Sequence, residues 1–127
     1  MPTPYKIYGE GPPDSPADPA LAVTGANTYY SQPVGVPDGK ALGLEVVFVG
    51  TMTGTLSLWL TNKPNADRAS DTDWIQDTTF TPTNPAGAGI KNFYTVGNLT
   101  CTSARLKYVN SAGSGTLKAR ANVALER

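Results

Sequence analysis

Apolar and polar residues alternate with a period of two along most of the chain after residue 22. Four segments show this alternation most clearly, and their apolar positions are Leu42, Leu44, Val46 and Phe48; Leu56, Leu58 and Leu60; Ala104, Leu106 and Tyr108; and Leu117, Ala119, Ala121, Val123 and Leu125. Because successive side chains of a strand point to opposite faces, the pattern predicts half-buried antiparallel strands. No comparable stretch shows the spacing of an amphipathic helix.

Turn-forming residues separate these segments. Pro37-Asp38-Gly39, Asn84-Pro85-Ala86-Gly87 and the stretch 110–115 are typical loop sequences. They place strands at 28–34, 41–49, 55–62, 73–80, 90–97, 102–109 and 115–125. Short strands with turns between them predict an all-β, antiparallel β-sandwich, and the pattern leaves a jelly roll and an immunoglobulin-like topology equally open.

Two connections between strands have similar sequences, at 49–56 and 109–117. Each joins apolar alternating segments through small residues and ends in Gly-Thr-Leu. The pattern predicts two hairpins, and a shared turn requirement explains their likeness more simply than a duplication.

Residues 1–21 differ from the rest of the chain in composition. This stretch holds six of the 11 prolines, together with Gly9 and Gly11. Proline fixes φ and removes a donor, so the sequence predicts an extended Pro-rich N-terminal arm over 1–21 and a β-sandwich domain over 22–127. Tyr5, Ile7 and Tyr8 are expected to anchor the arm on its own domain or on a neighbouring subunit. Because the alternating strands begin later, deletion of residues 1–20 is expected to leave the domain folded.

Length and charge limit the kinds of protein that this chain can be. The chain has 127 residues, enough for one domain, and its 10 basic and 10 acidic residues give no net charge. This balance gives no electrostatic footprint for nucleic acid or an anionic membrane. No apolar run approaches the roughly 20 residues of a membrane span. The first residues lack the pattern of a secretory signal, so synthesis in a cytoplasm is expected.

The chemistry available to the chain is limited by its lack of histidine and its single Cys101. Imidazole-dependent triads and thiolate zinc sites are therefore excluded, and we expect no enzyme activity, no catalytic residues, no metal ligands and no cofactor.

One loop is acidic, with Asn62, Asn65, Asp67, Asp71, Asp73 and Asp77. Asp71 and Asp73 resemble part of a calcium set, and a solvated loop of Asx turns is the simpler interpretation. These aspartates with Glu45 could also supply a glycosidase pair, but no spacing selects one.

Aromatic and cationic side chains are candidates for binding. Trp59 alternates with leucines and should point away from the core, where it could bind a sugar, anchor an interface or pack in a second core. Partner binding is predicted for Trp59 and Trp74, and also for the arm residues Tyr5, Ile7 and Tyr8. A cationic face of Lys118 and Arg120 would lie near Arg105 and Lys107 if the last two strands pair.

Several short motifs resemble a group of small virion proteins of tailed phages. The motifs are Thr53-Gly54-Thr55-Leu56, Thr61-Asn62, Asp73-Trp74, Arg105-Leu106-Lys107-Tyr108 and Ser114-Gly115-Thr116-Leu117, within 44–125. The resemblance covers about two-thirds of the chain, and each motif is short. The loop between Asn62 and Asp73 is longer than usual for the group, and the Pro-rich stretch is not part of its pattern.

The resemblance implies a β-sandwich structural protein of a virion. The function expected is a capsid decoration, or cement, protein that stabilises a phage head by binding neighbouring subunits of the major capsid protein. Such a protein would be a homo-oligomer on the capsid surface, made in the host cytoplasm, with no nucleic acid or membrane partner. The alternatives are a carbohydrate-binding module that takes a surface glycan, and a phage tail or baseplate component.

Overall fold

A computed structural model of the chain describes residues 5–8, 21–36 and 40–125, and these residues form ten strands. The strands are β1 (Tyr5–Tyr8), β2 (Leu21–Thr24), β3 (Thr28–Tyr30), β4 (Val34–Gly35), β5 (Lys40–Gly50), β6 (Thr53–Thr61), β7 (Ile75–Gln76), β8 (Ile90–Leu99), β9 (Ser103–Ala112) and β10 (Ser114–Leu125). The predicted turn at 37–39 and most of the Pro-rich stretch lie outside the described residues. Within them, no helix is long and apolar enough to cross a bilayer.

The strands form two antiparallel sheets that pack as a sandwich. The first sheet has the order β1-β10-β5-β8, with β2 also paired to β10. The second has the order β3-β9-β6-β7, with β4 also paired to β9. This arrangement confirms the predicted all-β antiparallel sandwich.

The core lies between the two sheets and is built from the positions that the alternation assigns to it. Fully or nearly fully buried side chains include Leu42, Leu44, Val46, Phe48, Leu56, Leu58, Leu106, Tyr108 and Leu117. The rings of Phe48 and Tyr108 meet across the sandwich with their centroids 4.9 Å apart. Burial of each large apolar side chain contributes about 1.5–3 kcal/mol before ordering costs, so this interface supplies the main stabilisation of the fold.

The two similar connections are corners between sheets, and the prediction of hairpins is wrong. The first leads from β5 to β6 and the second from β9 to β10, and the strands of each pair belong to opposite sheets. The corners lie side by side, with the Thr51 N–H donating to the Ser114 carbonyl at 3.0 Å. Gly113 has a φ of 78°, and a Cβ at this position would lie 2.3 Å from the Thr51 carbonyl oxygen. Only glycine fits at this position. A hairpin turn also favours small residues and glycine, so the sequence alone does not distinguish a corner from a hairpin.

Two predicted strands are shorter than expected. The predicted strand at 28–34 divides into β3 and β4, because the hydroxyl of Ser31 takes over as acceptor for the Leu106 N–H at 2.8 Å. The predicted strand at 73–80 is reduced to β7, because the Asp77 carboxylate accepts the Thr79 N–H at 2.9 Å and turns the chain. At Ser31 a side-chain oxygen replaces a ladder acceptor, and at Asp77 it closes a local turn.

The N-terminal segment contributes directly to the sandwich, contrary to the expectation that the core begins after residue 21. β1 pairs with β10, and Ile7 and Tyr8 are buried in the common core. The Tyr8 hydroxyl donates to the carbonyls of Tyr29 and Leu106, the latter at 3.0 Å. Four residues among prolines show too short a pattern for sequence to reveal this strand. Tyr5–Tyr8 is therefore part of the folded domain.

Candidate functional site

A buried arginine stands out on the outer face of the second sheet. Arg105 lies on β9 directly opposite Trp59 on β6, and only 1% of its surface is exposed. Three aromatic rings surround its guanidinium, with centroids at 4.6 Å for Tyr30, 5.4 Å for Trp59 and 4.8 Å for Trp74. We refer to these four residues, with Asp71 and Lys107, as the arginine cluster.

Strand register and one long loop assemble this cluster. Tyr30 on β3 lies opposite Lys107 on β9, so the strands alone bring Tyr30, Trp59, Arg105 and Lys107 onto one face. Residues 62–74, which we call the covering loop, bring Asp71 and Trp74 over that face. Stacking of a cation on aromatic faces is attractive, and more so when water is excluded.

Hydrogen bonds hold the covering loop in this position. The indole N–H of Trp74 donates to the Asp67 carbonyl at 2.9 Å, which fixes the ring within the loop. The hydroxyl of Thr61, at the end of β6, donates to the Asp73 carbonyl at 2.6 Å. Arg68 donates through Nη1 to the Tyr30 carbonyl at 2.8 Å. The loop is thus tied to β6 and β3 as well as to Arg105.

Two cations of the cluster share one carboxylate. Arg105 donates through Nη2 to Asp71 Oδ1 at 2.7 Å and to the Ser70 carbonyl at 3.0 Å, and Lys107 Nζ lies 2.5 Å from Asp71 Oδ2. Partial burial alone would raise the pKa of Asp71, but hydrogen bonds and charges from Lys107 and Arg105 outweigh it and hold that pKa below its usual range. One carboxylate therefore neutralises part of the charge of two cations.

The remaining donors of Arg105 are closed off from solvent. Its Nε and Nη1 atoms are buried and have no hydrogen-bond acceptor among the described residues. Since the aromatic rings enclose the guanidinium, a solute cannot approach it without displacing the covering loop. The cluster can lock the loop onto the sheet, but it presents no open cation to a substrate.

The acidic side chains of the loop have separate partners. Asp73 pairs with Lys63 at 3.0 Å, and Asp67 accepts the Ala69 N–H at 3.0 Å. Asp71 is engaged by Arg105 and Lys107, and Asp77 binds Thr79. Over residues 5–8, 21–36 and 40–125 no three His, Cys, Asp or Glu side chains are grouped so that they could hold a metal. The Asx-turn interpretation fits Asp67 and Asp77.

The residues predicted to bind partners occupy different environments. Trp59 and Trp74 come together in the arginine cluster, where Trp59 is half-buried and Trp74 is 4% exposed. Ile7 and Tyr8 contact their own core, and the side chain of Tyr5 lies outside the described part. Arg105 covers one face of each tryptophan ring, and the burial of Trp74 removes the open platform that a sugar site needs at that residue. Partner binding by these five residues stays a prediction.

The predicted single cationic face does not form. β9 and β10 belong to different sheets, so Arg105 and Lys107 lie on one sheet and Lys118 and Arg120 on the other. Arg120 is opposite Glu45 in the register of β10 with β5. The prediction depended on pairing of the last two strands, which the corner at Gly113 prevents.

Cys101 behaves as a core residue. Its side chain is buried, and burial raises the pKa of its thiol. A thiol with a raised pKa is protonated at neutral pH and is a poor nucleophile.

Burial likewise raises the pKa of Tyr108 to about 12, so its hydroxyl stays a neutral donor to the Asn110 side chain at 2.8 Å.

Sequence reasoning missed the exposed side chain of Ile75, and the ring of Phe93 is exposed as well. Ile75 on β7 is 77% exposed and Phe93 on β8 is 66% exposed, and these strands end the second and first sheets. The ring of Phe93 lies over Gly43, where a Cβ would approach it to 3.1 Å. A cavity of about 460 Å³ also opens beside Trp74, with Asn62, Lys63 and Thr102 in its wall. The positions of Ile75 and Phe93 at the ends of the two sheets follow from the strand order, which the alternation of residues alone does not predict.

Comparison with known proteins supports the fold. No protein-family model matches the sequence, and no curated protein is significantly similar to it. A chain in the solved structure of infectious bursal disease virus, Gt strain, is similar over 98% of this chain, with a TM-score of 0.52 and 15% sequence identity. The shared feature is the fold.

The likeness covers only part of that viral chain. The present chain spans 32% of its length. A chain in the structure of the Gx strain gives a TM-score of 0.45 and 16% identity, over 97% of this chain and 31% of that one. The sandwich is thus similar to a portion of a longer chain from a virus outside the tailed phages.

Proposed function

We propose that this chain is a structural protein of a virion. The observation that carries the proposal is the likeness, over 98% of the chain, to part of a chain in the structure of infectious bursal disease virus. A fold can host many functions, so the proposal also needs support from the surface of this molecule.

The arginine cluster supplies that support. Its aromatic rings, carboxylate and cations are used to fix the covering loop on the second sheet rather than to line an open cleft. A rigid sandwich with an immobilised loop offers a fixed outer surface, which suits repeated packing against neighbours. We propose on the same ground that the protein is non-enzymatic.

We propose more specifically that the chain is a capsid decoration protein. The resemblance to tailed-phage virion proteins rests partly on Asp73-Trp74 and on the motif that begins at Arg105. These two motifs meet in the arginine cluster, where Arg105 stacks on Trp74. Two of the five motifs therefore belong to one structural unit. In this role the protein would bind the major capsid protein as a homo-oligomer on the capsid surface, after synthesis in the host cytoplasm.

Quantitative mass spectrometry of purified particles tests both levels of the proposal. Copy number is measured relative to the major capsid protein in the virus that encodes this chain. Hundreds of copies per particle support decoration, and a few to a few dozen copies support a tail or baseplate component instead. Absence from particles overturns the virion role.

A binding experiment separates decoration from the glycan alternative. Purified protein is added to particles that lack it, and occupancy is measured before and after enzymatic removal of surface glycans. Saturable binding that survives glycan removal supports attachment to capsid protein. Binding that disappears with the glycans overturns it in favour of a carbohydrate-binding module.

A further inference from the structure

Strands β1 and β2 lie in one line along the same edge of β10. Tyr8, the last residue of β1, is opposite Ala119, and Leu21, the first residue of β2, is opposite Leu117. Positions two residues apart on a strand are separated by about 7 Å. A link of about two residues would therefore join β1 to β2.

The sequence provides a much longer link. Residues 9–20 lie between the two strands, and four of these twelve residues are Pro12, Pro13, Pro16 and Pro19. A chain of this length can reach at most about 40 Å when extended. Proline restricts the chain and favours extension, whereas the connection within one molecule requires a link that begins and ends about 7 Å apart. The link exceeds what the fold requires and suits a longer span.

The groups that β1 contacts lie on β10 and in residues 29–32 and 106 of the folded domain. Besides the ladder with β10, the Tyr8 hydroxyl donates to the carbonyls of Tyr29 and Leu106, and the Gln32 N–H donates to the Ile7 carbonyl at 2.9 Å. We call the position of β1 on these partners the β1 slot. Because copies are identical, the slot of one copy offers the same contacts to β1 of another.

We infer that β1 is exchanged between copies of this protein, so that β1 of one molecule occupies the β1 slot of a second. The inference concerns the isolated protein and does not depend on the proposed virion role. The exchanged and unexchanged forms make the same core contacts, so concentration decides between them. Exchange is negligible in dilute solution and increases where copies are held close together.

Disulfide trapping tests the inference directly. Lys6 and Arg120 are register partners, so K6C and R120C are made as separate proteins, each with C101A to remove the native thiol. The two are mixed, unfolded and refolded together at high concentration, then oxidised. We expect a disulfide-linked heterodimer, identified by mass spectrometry of the joined peptides.

Two controls make this experiment decisive. A chain carrying both K6C and R120C should form the disulfide within one molecule when refolded in dilute solution, which shows that the pair can react. K6C mixed with K91C measures random collision, because Lys91 lies on β8, at the far end of the sheet order from β1. We expect about tenfold more heterodimer with R120C than with K91C. Equal yields, while the double variant still closes within one chain, overturn the inference.

Shortening the link provides a second test. Deletion of residues 10–19 leaves Gly9 and Ala20, which suffice to join β1 to β2 within one molecule and let Tyr8 and Leu21 separate by at most about 11 Å. We expect this variant to stay monomeric in analytical ultracentrifugation and to give no heterodimer. If it exchanges as readily as the full chain, the inference is wrong. Should the deletion prevent folding, trapping with the full-length chains decides.

Discussion

The guanidinium of Arg105 lies 4.8 Å from the centroid of the Trp74 ring, and this contact closes the covering loop over the outer face of the second sheet. Arg105 occupies a position that the alternation of β9 assigns to solvent, yet it is among the most buried large residues of the described chain. The contact converts an outer sheet face into a second packed layer with its own charge pairing. Stability should therefore depend on residues outside the main core.

The first prediction concerns Arg105 itself. Arg105→Ala should lower the free energy of unfolding by roughly 2–5 kcal/mol, because it empties the space between three rings and removes a partner of Asp71. Arg105→Met keeps most of the buried volume and should cost less. Arg68→Ala, which removes an exposed cation of the same loop, is the control and should cost at most about 1 kcal/mol. Urea unfolding followed by tryptophan fluorescence measures all three, and equal costs for Arg105→Ala and Arg68→Ala would contradict the prediction.

The second prediction concerns the pH dependence of stability. The pKa of Asp71 is lower in the folded protein than its ordinary value of 3.8, so the unfolded chain binds the proton more tightly. The stabilisation by Asp71 is therefore fully present above about pH 5 and is lost as the pH falls through the folded pKa. Asp71→Asn removes the titrating carboxyl group and its stabilisation. The difference in urea midpoint between the wild-type protein and this variant should therefore become smaller on acidification. Added salt should narrow the gap at neutral pH as well. A gap that widens in acid would show that the ion pairs do not stabilise the fold.

The third prediction concerns β1. Tyr8→Ala should destabilise the domain by roughly 3–5 kcal/mol, since it removes a buried ring. Tyr8→Phe keeps the ring but removes the buried hydroxyl that donates to the carbonyls of Tyr29 and Leu106, and should cost about 1–3 kcal/mol. Deletion of residues 1–20 should cost at least as much as Tyr8→Ala. Thermal unfolding followed by circular dichroism measures each variant, and a truncated chain with unchanged Tm would show that β1 is dispensable.

The fourth prediction concerns the main core. Leu58→Ala and Leu106→Ala should each cost roughly 2–5 kcal/mol, because each opens a cavity at a fully buried position. Val49→Ala is the control, since Val49 is 60% exposed on the outer face of β5, and should change stability by less than about 0.5 kcal/mol. Urea unfolding provides the comparison. Small effects at both leucines would mean that the inner and outer faces are reversed.

The fifth prediction separates backbone strain from crowding at the corners. Gly87 and Gly113 both have positive φ, at 85° and 78°, but a Cβ at Gly87 meets nothing within 4 Å whereas one at Gly113 would lie 2.3 Å from a carbonyl oxygen. Gly87→Ala should therefore cost only the conformational penalty, about 1–2 kcal/mol. Gly113→Ala should cost more, because the two corners must separate. Thermal unfolding of both variants measures the difference, and equal losses would argue against close packing of the corners.

The sequence alone was sufficient to predict which side of β5, β6, β9 and β10 is buried. In β5, β6, β9 and β10 the apolar positions of the alternation, as far as Val123, are the positions that face the core, because the pleat of a strand sends neighbouring side chains to opposite sides regardless of its partners. The same local rule predicted the all-β class and the outward direction of Trp59. These properties depend on a few consecutive residues.

Only the tertiary structure decided which strands are neighbours. The corner at Gly113 and a hairpin have the same sequence requirements, so the separation of Lys107 from Lys118 could not be predicted. The burial of Arg105 depends on a covering loop that reaches it from a distant part of the chain, and the burial of Tyr8 depends on acceptors supplied by Tyr29 and Leu106. Backbone pairing is chemically alike for every strand, so long-range geometry and not local pattern determines the partners and the residues that they bury.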